Sequence, residues 1–509
     1  MALVVSHLAD DFDTLTRQAL RQAPLADLIE IRLDRIGHPG KERLAAFCRE
    51  APNPVIVTCN GPEAYGTFAG SHDELFDLYH DAAEAGARFV DIDWRLSLDL
   101  GEVEAPCHRI VSRHEPDTPE DLDALHEEVQ EVLYEGDVTK LVTHATSCED
   151  GLRLLSWLRT TKGVVSFCAG EAGSFTRVLA PVFGSPFTYC APAVMPGEPT
   201  PEATAPGQVR VNDLMGLLPP GGISQETAVF GVVGNPVGHS WSPWVHGMAL
   251  KAARLDAVYV GLEPSSFETF LELATDENFR GFSVTAPFKE AAFRATGQPD
   301  EGARRTAAVN TLVREKDGGW RGANTDVSAV RDTLEKAFRF HGRGGDRPAA
   351  VATAHTLVLG AGGAARAAAW AVKSLGGRVT LAARREERAR ALATELEVEA
   401  VAWDGIPQVE YDALVNATPV GSAALDPEAL VISEDWIRPG TVVFDAVYRP
   451  IRTPLLVAAA GRGCTPIPGG EWFVRQAVAQ FKLFTHHDPD EELMRKAFEH
   501  AHEAEERGS

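Results

Sequence analysis

The sequence predicts an α/β protein in which an N-terminal (β/α)8 barrel, the TIM barrel, precedes a two-domain unit that contains a Rossmann domain. Three observations predict this architecture. The chain has 509 residues, enough for about three domains. Strand-like and helix-like stretches alternate from Leu3 to about Leu218, and a glycine-rich fingerprint follows a short apolar run at Leu357–Leu359.

Composition narrows the class of protein. The hydrophobic content of 44% and charged content of 24% are typical of soluble domains. No apolar run approaches the ~20 residues of a membrane span, and the N-terminal residues resemble neither a secretory signal nor a transit peptide. The seven cysteines form no C-x-x-C pair, so we expect reduced thiols and a cytoplasmic location.

The net charge of −25 argues against nucleic acid and anionic membranes as partners. We therefore expect small-molecule substrates. An acidic substrate would have to meet local arginines. We assign no residue to a metal.

The barrel prediction depends on eight short apolar runs with helical patterns between them. These runs are Leu3–Leu8, Leu28–Leu33, Val55–Cys59, Phe89–Trp94, Arg109–Arg113, Thr139–His144, Val164–Cys168 and Phe187–Cys190.

Polar residues stand at the carboxyl ends of these strands, where barrel enzymes carry their chemistry: Glu30, Arg32, Asp93, His114 and Lys140. A lysine between apolar residues is costly to keep charged, and its neutral amine is a nucleophile for a ketone. His114 could move a proton, with Asp93 or Glu30 holding its tautomer. The alternative is an internal ion pair of the lysine and a hydrogen-bonded core histidine.

About the first 215 residues resemble type I 3-dehydroquinate dehydratase. The matching motifs are Glu30-Ile31-Arg32-Leu33-Asp34, Ser112-Arg113-His114, Lys140, Gly173-Ser174-Phe175-Thr176-Arg177, Phe183-Gly184-Ser185 and Thr204-Ala205-Pro206-Gly207-Gln208. The resemblance implies that Lys140 forms a Schiff base with the substrate ketone and that His114 is the general acid and base. It also implies contacts with the substrate carboxylate and hydroxyls from Glu30, Arg32, Arg177, Thr204 and Gln208.

Three positions depart from the family pattern. Asn60 follows the third strand where the family has an arginine, Asp93 replaces a glutamate, and Thr204 replaces a serine. An inactive scaffold barrel attached to a working dehydrogenase therefore stays open as an alternative.

The expected domain boundaries follow from composition. We expect the barrel at 1–218, with Ala193–Gly207 as a loop after its eighth strand and Leu218–Glu226 as the linker. A substrate-binding domain is expected at 227–338, completed by 470–509. The stretch His341–Ala354, rich in glycine and proline, leads to a nucleotide-binding domain at 355–469.

The second half carries hydroxyls, amides, one lysine and one aspartate at predicted strand ends. These residues are Ser240, Ser242, Thr285, Lys289, Asn310 and Asp326. Each alone could be a polar turn. Together they suit a small polyhydroxylated acid beside a nicotinamide.

The fingerprint places Gly360, Gly362 and Ala365 at the three small positions of a dinucleotide-binding loop, whose other members are Ala361, Gly363 and Ala364. Small residues allow the tight turn, the approach of backbone N–H groups to a pyrophosphate, and helix–strand packing. The next predicted strand, Arg378–Ala382, leads into Ala383-Arg384-Arg385 with no carboxylate, which favours a 2′-phosphate and hence NADP(H). The alternative is an ordinary basic helix start.

Residues from about Thr227 to Phe484 resemble shikimate dehydrogenase through these turns, the glycine-rich loop, Asn416-Ala417-Thr418-Pro419-Val420-Gly421 and Asp445-Ala446-Val447-Tyr448. The resemblance implies that Lys289 and Asp326 are the catalytic pair and that Thr418 and Gly421 lie near the nicotinamide. The implied substrate contacts are Ser240, Ser242, Thr285, Asn310 and Gln476. Quinate dehydrogenase activity is a nearby alternative.

The two resemblances together predict a bifunctional enzyme of aromatic-precursor biosynthesis. The barrel would dehydrate 3-dehydroquinate to 3-dehydroshikimate, and the second half would reduce that ketone with NADPH to shikimate. The product of the first reaction is the substrate of the second, which makes the fusion coherent.

Overall fold

The computed structural model describes residues 2–195, 197, 199–340 and 351–508. The chain divides into two compact units, one comprising Met1–Val229 with Arg254–Asn278 and the other Phe230–Ala253 with Phe279–Ser509. None of the helices in the described residues is both long and apolar enough to cross a bilayer.

The first unit contains a barrel of eight parallel strands, which confirms the predicted fold class. Its strands are β1 Ala2–Leu8, β2 Leu28–Arg32, β3 Val55–Thr58, β4 Phe89–Asp93, β5 His108–His114, β6 Val138–His144, β7 Val164–Ala169 and β8 Phe187–Cys190. Its helices are α1 Phe12–Gln22, α2 Lys41–Glu50, α3 His72–Glu84, α4 Ser97–Leu100, α5 Leu122–Gln130, α6 Cys148–Thr160, α7 Ser174–Leu179 and α8 Val211–Leu217.

The strands follow the order β7-β6-β5-β4-β3-β2-β1-β8, so the barrel is nearly closed. The Phe167 ring of β7 lies 5.7 Å from the Tyr189 ring of β8, across the remaining gap. Alternate residues of each strand point to opposite faces. Ile29 and Ile31 of β2 face outward and pack in the apolar layer with Phe12 of α1.

Capping residues fix where two barrel helices begin. Ser71 and Glu74 form a reciprocal capping box at α3, and Ser147 with Asp150 forms the same arrangement at α6. Each box satisfies backbone N–H groups that have no partner inside the helix.

The first unit also includes β10 Ala257–Leu262 and α10 Phe267–Leu273. Arg159 of α6 donates to both carboxylate oxygens of Asp276 at 2.7 and 2.9 Å. Glu149, at the start of α6, accepts from the backbone N–H of Ser265 at 2.8 Å. These half-buried polar contacts join the segment Arg254–Asn278 to a barrel helix.

The second unit contains two sheets. In the first, β9 Ala228–Val233, β11 Phe279–Val284, β13 Thr311–Arg314, β14 Trp320–Ala323 and β12 Gln298–Pro299 follow one another. The β11–β13 and β13–β14 pairs are antiparallel, whereas β12 and β14 are parallel. The accompanying helices are α9 Ser242–Ala252, α11 Lys289–Ala295, α12 Glu301–Thr306 and α13 Thr325–Phe340.

The second sheet is parallel and has the order β17-β16-β15-β18-β19-β20, the doubly wound order of a Rossmann domain. Its strands are β15 His355–Leu359, β16 Arg378–Ala382, β17 Glu399–Ala400, β18 Ala413–Asn416, β19 Val442–Asp445 and β20 Thr465–Ile467. The remaining helices are α14 Gly363–Ser374, α15 Glu386–Leu396, α16 Pro454–Gly461, α17 Gly469–Thr485 and α18 Glu491–Gly508.

Both faces of this sheet are covered by apolar layers. Val358 packs in one layer with alanines of α14, whereas Leu357 and Leu359 pack in the other with Leu455 of α16. Burial on both faces explains why Leu357–Leu359 of β15 form a continuous apolar run in the sequence.

Two expected connections fall partly outside the described residues. Residues 341–350 of the expected connector His341–Ala354 lie outside them, and Val351–Thr353 forms a short 3-10 turn. Residues 196 and 198 of the expected loop Ala193–Gly207 also lie outside them.

Candidate active sites

The first candidate site lies inside the barrel around Lys140. This lysine is 5% exposed and forms an ion pair with Asp91 of β4, which is fully buried. Ser112 of β5 donates to the other Asp91 oxygen at 2.6 Å. The Tyr189 ring of β8 lies 4.9 Å from Lys140 Nζ. The expected alternative of an internal lysine–carboxylate pair is therefore present, although with Asp91.

His114 lies at the end of β5, the strand that pairs with the strand of Lys140. Its Nδ1 is buried and has no hydrogen-bond partner among the described residues. Burial lowers the pKa of His114 well below its usual range, and the positive charges of Lys140, Arg32 and Arg177 add to the effect. The ring is therefore neutral at pH 7 and can accept a proton.

Glu30, Thr204 and Gln208 come together through Ser6 of β1. Thr204 Oγ1 donates to Ser6 Oγ at 2.9 Å, and Ser6 donates to Glu30. Thr58 also donates to Glu30, at 2.7 Å. Gln208 Oε1 accepts from the Thr204 backbone N–H at 3.0 Å. These hydrogen bonds connect β1 and β2 to the loop that follows β8.

Two arginines expected to meet the substrate have different surroundings. Arg32 donates through Nε to Asp34 at 3.1 Å and pairs with the same carboxylate a second time. Arg177 is 2% exposed, lies 4.3 Å above the Phe167 ring, and keeps an unpartnered buried Nε among the described residues. Burial lowers the pKa of Arg177 to about 10. Arg177 is thus a buried cation whose Nε–H can donate a hydrogen bond to a ligand.

The prediction that Asp93 or Glu30 holds the His114 tautomer is wrong. Asp93 accepts from Arg95 Nε and Nη2 at 2.8 and 2.9 Å, because a bidentate arginine two residues away is the stronger partner. Glu30 is occupied by the Ser6 and Thr58 hydroxyls.

Sequence reasoning missed Asp91 and Tyr189. Asp91 stands two residues before Asp93, so both side chains leave the same face of β4. That period-2 relation was a usable signal. Tyr189 lies inside a predicted strand, and no sequence feature distinguishes it from an aromatic residue of the hydrophobic core.

The second candidate site lies at the ends of β11 and β14. Lys289 begins α11 and donates to Asp326, in the first turn of α13, at 2.6 Å. Asp326 is 3% exposed. Its backbone N–H donates to Asn324 Oδ1 at 3.2 Å, which fixes the turn that presents the carboxylate.

Asn310 is tied to the residue beside this aspartate. Its amide donates to Thr325 Oγ1 at 2.9 Å and accepts from the Thr325 backbone N–H at 2.8 Å. Gln480 of α17 donates to the Asn310 carbonyl at 3.0 Å and accepts from Ser283 Oγ at 2.8 Å. Gln476, selected from the sequence, donates to the Phe473 carbonyl of its own helix. The residue that links α17 to this site was missed.

The two serines and the threonine lie at the ends of neighbouring elements. Ser240 Oγ accepts from the Ser242 backbone N–H at 3.2 Å, at the start of α9. Thr285 follows β11, and a Cβ atom added at Gly234 would lie 2.2 Å from its Cγ2. Gly234 therefore allows the β9 and β11 turns to meet.

The nucleotide loop joins β15 to α14. Gly360 has a φ of +118°, and a Cβ there would lie 3.0 Å from the Ala417 carbonyl oxygen. A Cβ at Gly362 would meet nothing within 4 Å, and a Cβ at Gly363 would lie 3.3 Å from Lys289 Cδ. Ala361 and Ala364 are half-buried beside them. The loop therefore lies next to Lys289 of the second site.

The surroundings of this loop fit a phosphorylated dinucleotide. The N-terminus of α14 has no side-chain cap, so its N–H groups can meet a pyrophosphate. Arg384 and Arg385 are exposed at the end of β16. Thr418 donates to Asn416 Oδ1 at 2.7 Å and packs against Gly360, and Gly421 has a φ of +86°.

The chain thus carries two separate sites, as expected of an enzyme with two activities. One is a buried lysine–carboxylate pair inside a barrel, and the other is a lysine–carboxylate pair beside a dinucleotide-binding loop. The family model "Type I 3-dehydroquinase" matches residues 3–220. The models for the shikimate dehydrogenase substrate-binding and C-terminal domains match residues 232–312 and 473–497.

Curated relatives agree with these matches. A bifunctional 3-dehydroquinate dehydratase/shikimate dehydrogenase, chloroplastic, from Arabidopsis thaliana is 32% identical over 498 residues, covering 94% of this chain and 81% of that protein. A shikimate dehydrogenase (NADP(+)) from Syntrophobacter fumaroxidans is 38% identical over 50% of this chain and 87% of its own length. The chain belongs to the family of bifunctional 3-dehydroquinate dehydratase/shikimate dehydrogenases.

Solved structures align with the second half of the chain or with nearly all of it. Shikimate 5-dehydrogenase from Thermus thermophilus, in complex with NADP(H) and shikimate, is 32% identical, with a TM-score of 0.48 over 54% of this chain and 99% of that chain. The dehydroquinate dehydratase and shikimate dehydrogenase from S. pombe is 22% identical, with a TM-score of 0.44 over 98% of each chain.

Proposed function

We propose that the protein dehydrates 3-dehydroquinate to 3-dehydroshikimate in the barrel and reduces this product to shikimate with NADPH in the second unit. The observation that carries the proposal is the buried Lys140–Asp91 pair beside a neutral His114 on the neighbouring strand, whose Nδ1 has no hydrogen-bond partner among the described residues. No part of ordinary barrel packing requires this arrangement.

The dehydratase reaction begins at Lys140. The ammonium passes a proton to the contacting Asp91 carboxylate, and the neutral amine attacks the ketone carbon. Loss of one water from the adduct leaves a protonated imine. This cation acidifies the adjacent C–H bond, so that a neutral imidazole can remove the proton.

His114 then acts as base and acid in turn. It takes the proton next to the imine and returns it to the departing ring hydroxyl, which leaves as water. A further water hydrolyses the imine and regenerates the Lys140 amine. The net change is the loss of one water from 3-dehydroquinate.

The remaining polar residues hold the substrate. Arg177, whose Nε has no partner in the described part of the chain, and Arg32 bind the carboxylate. Ring hydroxyls are bound by Glu30, Thr204 and Gln208. Asp93 acts through Arg95, whose position it fixes.

The second unit is an NADP(H)-dependent dehydrogenase. When bound, the cofactor supplies hydride to the ketone carbon. Gly360, Ala361, Gly362, Gly363 and Ala364 form the loop under its pyrophosphate. Arg384 and Arg385 bind the 2′-phosphate, and Thr418 and Gly421 shape the nicotinamide side.

Lys289 donates a proton to the oxygen of the reduced ketone, and Asp326 orients the ammonium through their 2.6 Å contact. Ser240, Ser242, Thr285, Asn310 and Gln476 hold the carboxylate and hydroxyls of the substrate. Ser240 and Thr285 favour shikimate over quinate, because a saturated ring with an extra hydroxyl needs more room.

We also propose three domains: the barrel at 1–218, a substrate-binding domain at 227–338 completed by 470–509, and the nucleotide domain at 355–469. The family-model matches at 3–220, 232–312 and 473–497 agree with the proposed barrel and with the two parts of the proposed substrate-binding domain. A cytoplasmic location is proposed from the cysteines, all seven of which are free thiols. The net charge of −25 argues against nucleic acid as a partner, and small-molecule substrates held by local cationic side chains are proposed instead.

Borohydride trapping tests the dehydratase proposal. Incubation with 3-dehydroquinate and then reduction is expected to add the mass of the substrate to the peptide containing Lys140. Lys140→Arg is the matched control, because arginine keeps the ion pair with Asp91 and forms no imine. Oxidation of NADPH after addition of 3-dehydroquinate reports both reactions together when the Lys140→Arg variant shows no such oxidation, since direct reduction of 3-dehydroquinate would persist in that variant.

Two results separate the alternatives. A protein that reduces 3-dehydroshikimate but gives no adduct at Lys140 has an inactive scaffold barrel. A protein that gives the adduct but oxidises NADPH with 3-dehydroquinate and not with added 3-dehydroshikimate contradicts the shikimate assignment, because quinate would then be the product of the reduction.

A further inference from the structure

Tyr189 of β8 faces the interior of the barrel. It pairs in register with Val4 of β1, two residues before Ser6, whose hydroxyl reaches the interior carboxylate of Glu30. Alternate residues share a face, so Val4 and Tyr189 point inward with Ser6. The ring lies 4.9 Å from Lys140 Nζ. Tyr189 is therefore part of the wall around the reacting amine.

The Tyr189 hydroxyl has no hydrogen-bond partner among the described residues, although the side chain is only 4% exposed. A buried polar group without a partner costs about 1–3 kcal/mol. Phenylalanine would fill the same space without that cost, as Phe167 and Phe187 do on either side, with rings 5.7 and 5.9 Å away. Packing alone does not explain the hydroxyl.

The phenol oxygen lies among the charges of the reaction site. Burial raises the pKa of Tyr189 well above its usual range, and the negative charges of Glu30 and Asp91 raise it further. The group therefore remains protonated and can donate a hydrogen bond. His114 Nδ1, on a neutral ring, and Arg177 Nε are also buried without hydrogen-bond partners in the described part of this barrel. One bound polar ligand could therefore satisfy several of these atoms.

We propose that Tyr189 is a substrate-binding residue of the dehydratase site. Its ring face holds the Lys140 ammonium by a cation–π contact, and its hydroxyl donates a hydrogen bond to an oxygen of the bound polyhydroxylated keto acid. The inference rests on the proposed dehydratase function. It adds a contact that the motifs of the sequence do not contain.

Tyr189→Phe tests the hydroxyl while keeping the ring over the lysine. We expect KM for 3-dehydroquinate to rise about tenfold with kcat within about twofold, because a contact made equally in ground and transition states changes KM alone. The melting temperature of the variant should equal or exceed that of the natural protein, since removal of an unpartnered buried hydroxyl releases its desolvation cost. A merely structural hydroxyl would lower the melting temperature and leave KM unchanged.

Tyr134→Phe is the matched control. Its ring lies 4.4 Å from the guanidinium of Arg109, on the outward face of β5 and away from Lys140. This variant should retain the natural KM. The dehydrogenase activity of the second unit, measured with 3-dehydroshikimate and NADPH, should be unchanged in both variants.

The outcomes are distinguishable from failure of the proposed function. Borohydride should still trap Lys140 in Tyr189→Phe at saturating substrate. An unchanged KM in this variant, or a fall in kcat at constant KM, overturns the role of Tyr189 while the dehydratase stands. Absence of any adduct in the natural protein overturns the dehydratase itself.

Discussion

At the scale of single residues, the barrel interior departs from the rule that buried polar atoms are hydrogen-bonded. Lys140 has its partner in Asp91, but His114 Nδ1, Arg177 Nε and the Tyr189 hydroxyl are buried and unpartnered among the described residues. Each such atom destabilises the folded barrel unless a ligand satisfies it. These three polar atoms lie inside the same barrel, as expected of a site whose hydrogen-bonding groups are in place before the substrate binds.

The pH dependence of the dehydratase follows from His114. The base form of this residue is the neutral imidazole, and its pKa is lowered well below the usual range by burial and by the neighbouring cations. A lowered pKa means that the neutral form persists as the pH falls. The acid limb of kcat/KM should therefore lie below about pH 6.5, the ordinary value for histidine.

The measurement is a profile of kcat/KM for 3-dehydroquinate at constant ionic strength. The dehydrogenase reaction of the same preparation shows whether the protein is still folded at each pH. An acid limb at or above the ordinary histidine value contradicts His114 as the base. His114→Gln should remove the limb together with most of the activity.

The sequence was enough to identify Lys140 and His114 as candidate site residues, but not to identify Asp91 as the ion-pair partner of Lys140. Asp91 and Asp93 are two residues apart on one face of β4, and the sequence does not say which lies deeper. Arg95 decides this, since it draws Asp93 towards itself and leaves Asp91 for Lys140. Such competition between neighbouring side chains is a property of three-dimensional distance, which residue spacing alone does not give.

At the scale of elements, the strands were predictable because short apolar runs between polar turns leave little freedom. Phe187–Cys190 and Arg378–Ala382 have the same bounds in the prediction and in the structure. For the long helix α17, the sequence did not show which glutamine contacts the second site. Gln476 and Gln480 are four residues apart on one helix face, and only packing shows that Gln480 meets Asn310.

The β15–α14 loop gives a prediction at this scale. Gly360 has a φ of +118°, which side chains rarely adopt, and an added Cβ would lie 3.0 Å from the Ala417 carbonyl. Gly360→Ala should destabilise the nucleotide domain by about 1–3 kcal/mol and abolish NADPH-dependent turnover. Thermal unfolding and dehydrogenase kinetics measure the two effects.

Gly362→Ala is the informative comparison. Gly362 has a φ of −96°, and a Cβ there meets nothing within 4 Å. Stability should be kept while KM for NADPH rises, because the methyl group occupies the space through which a pyrophosphate approaches the helix N-terminus. Equal loss of stability in both variants would contradict the different roles given to the two glycines.

At the scale of the whole molecule, the chain combines a strongly negative net charge with two sites built around cations. The charge of −25 repels anionic substrates at long range, so binding depends on local groups. Each site also belongs to one compact unit. Lys140 and Asp91 lie in the first unit, and Lys289 and Asp326 lie in the second.

This separation predicts that each activity survives loss of the other. Lys140→Arg should lose the dehydratase and keep the dehydrogenase, and Lys289→Ala should do the reverse, because the lysine–carboxylate pair of each site lies within a single unit. An equimolar mixture of the two variants should then convert 3-dehydroquinate to shikimate, with the intermediate crossing the solution between different molecules. NADPH oxidation should begin after a lag that shortens as the protein concentration rises. If the mixture stays inactive while each variant retains its own half-reaction, the intermediate does not reach the second site from solution, and the treatment of the two sites as independent is wrong.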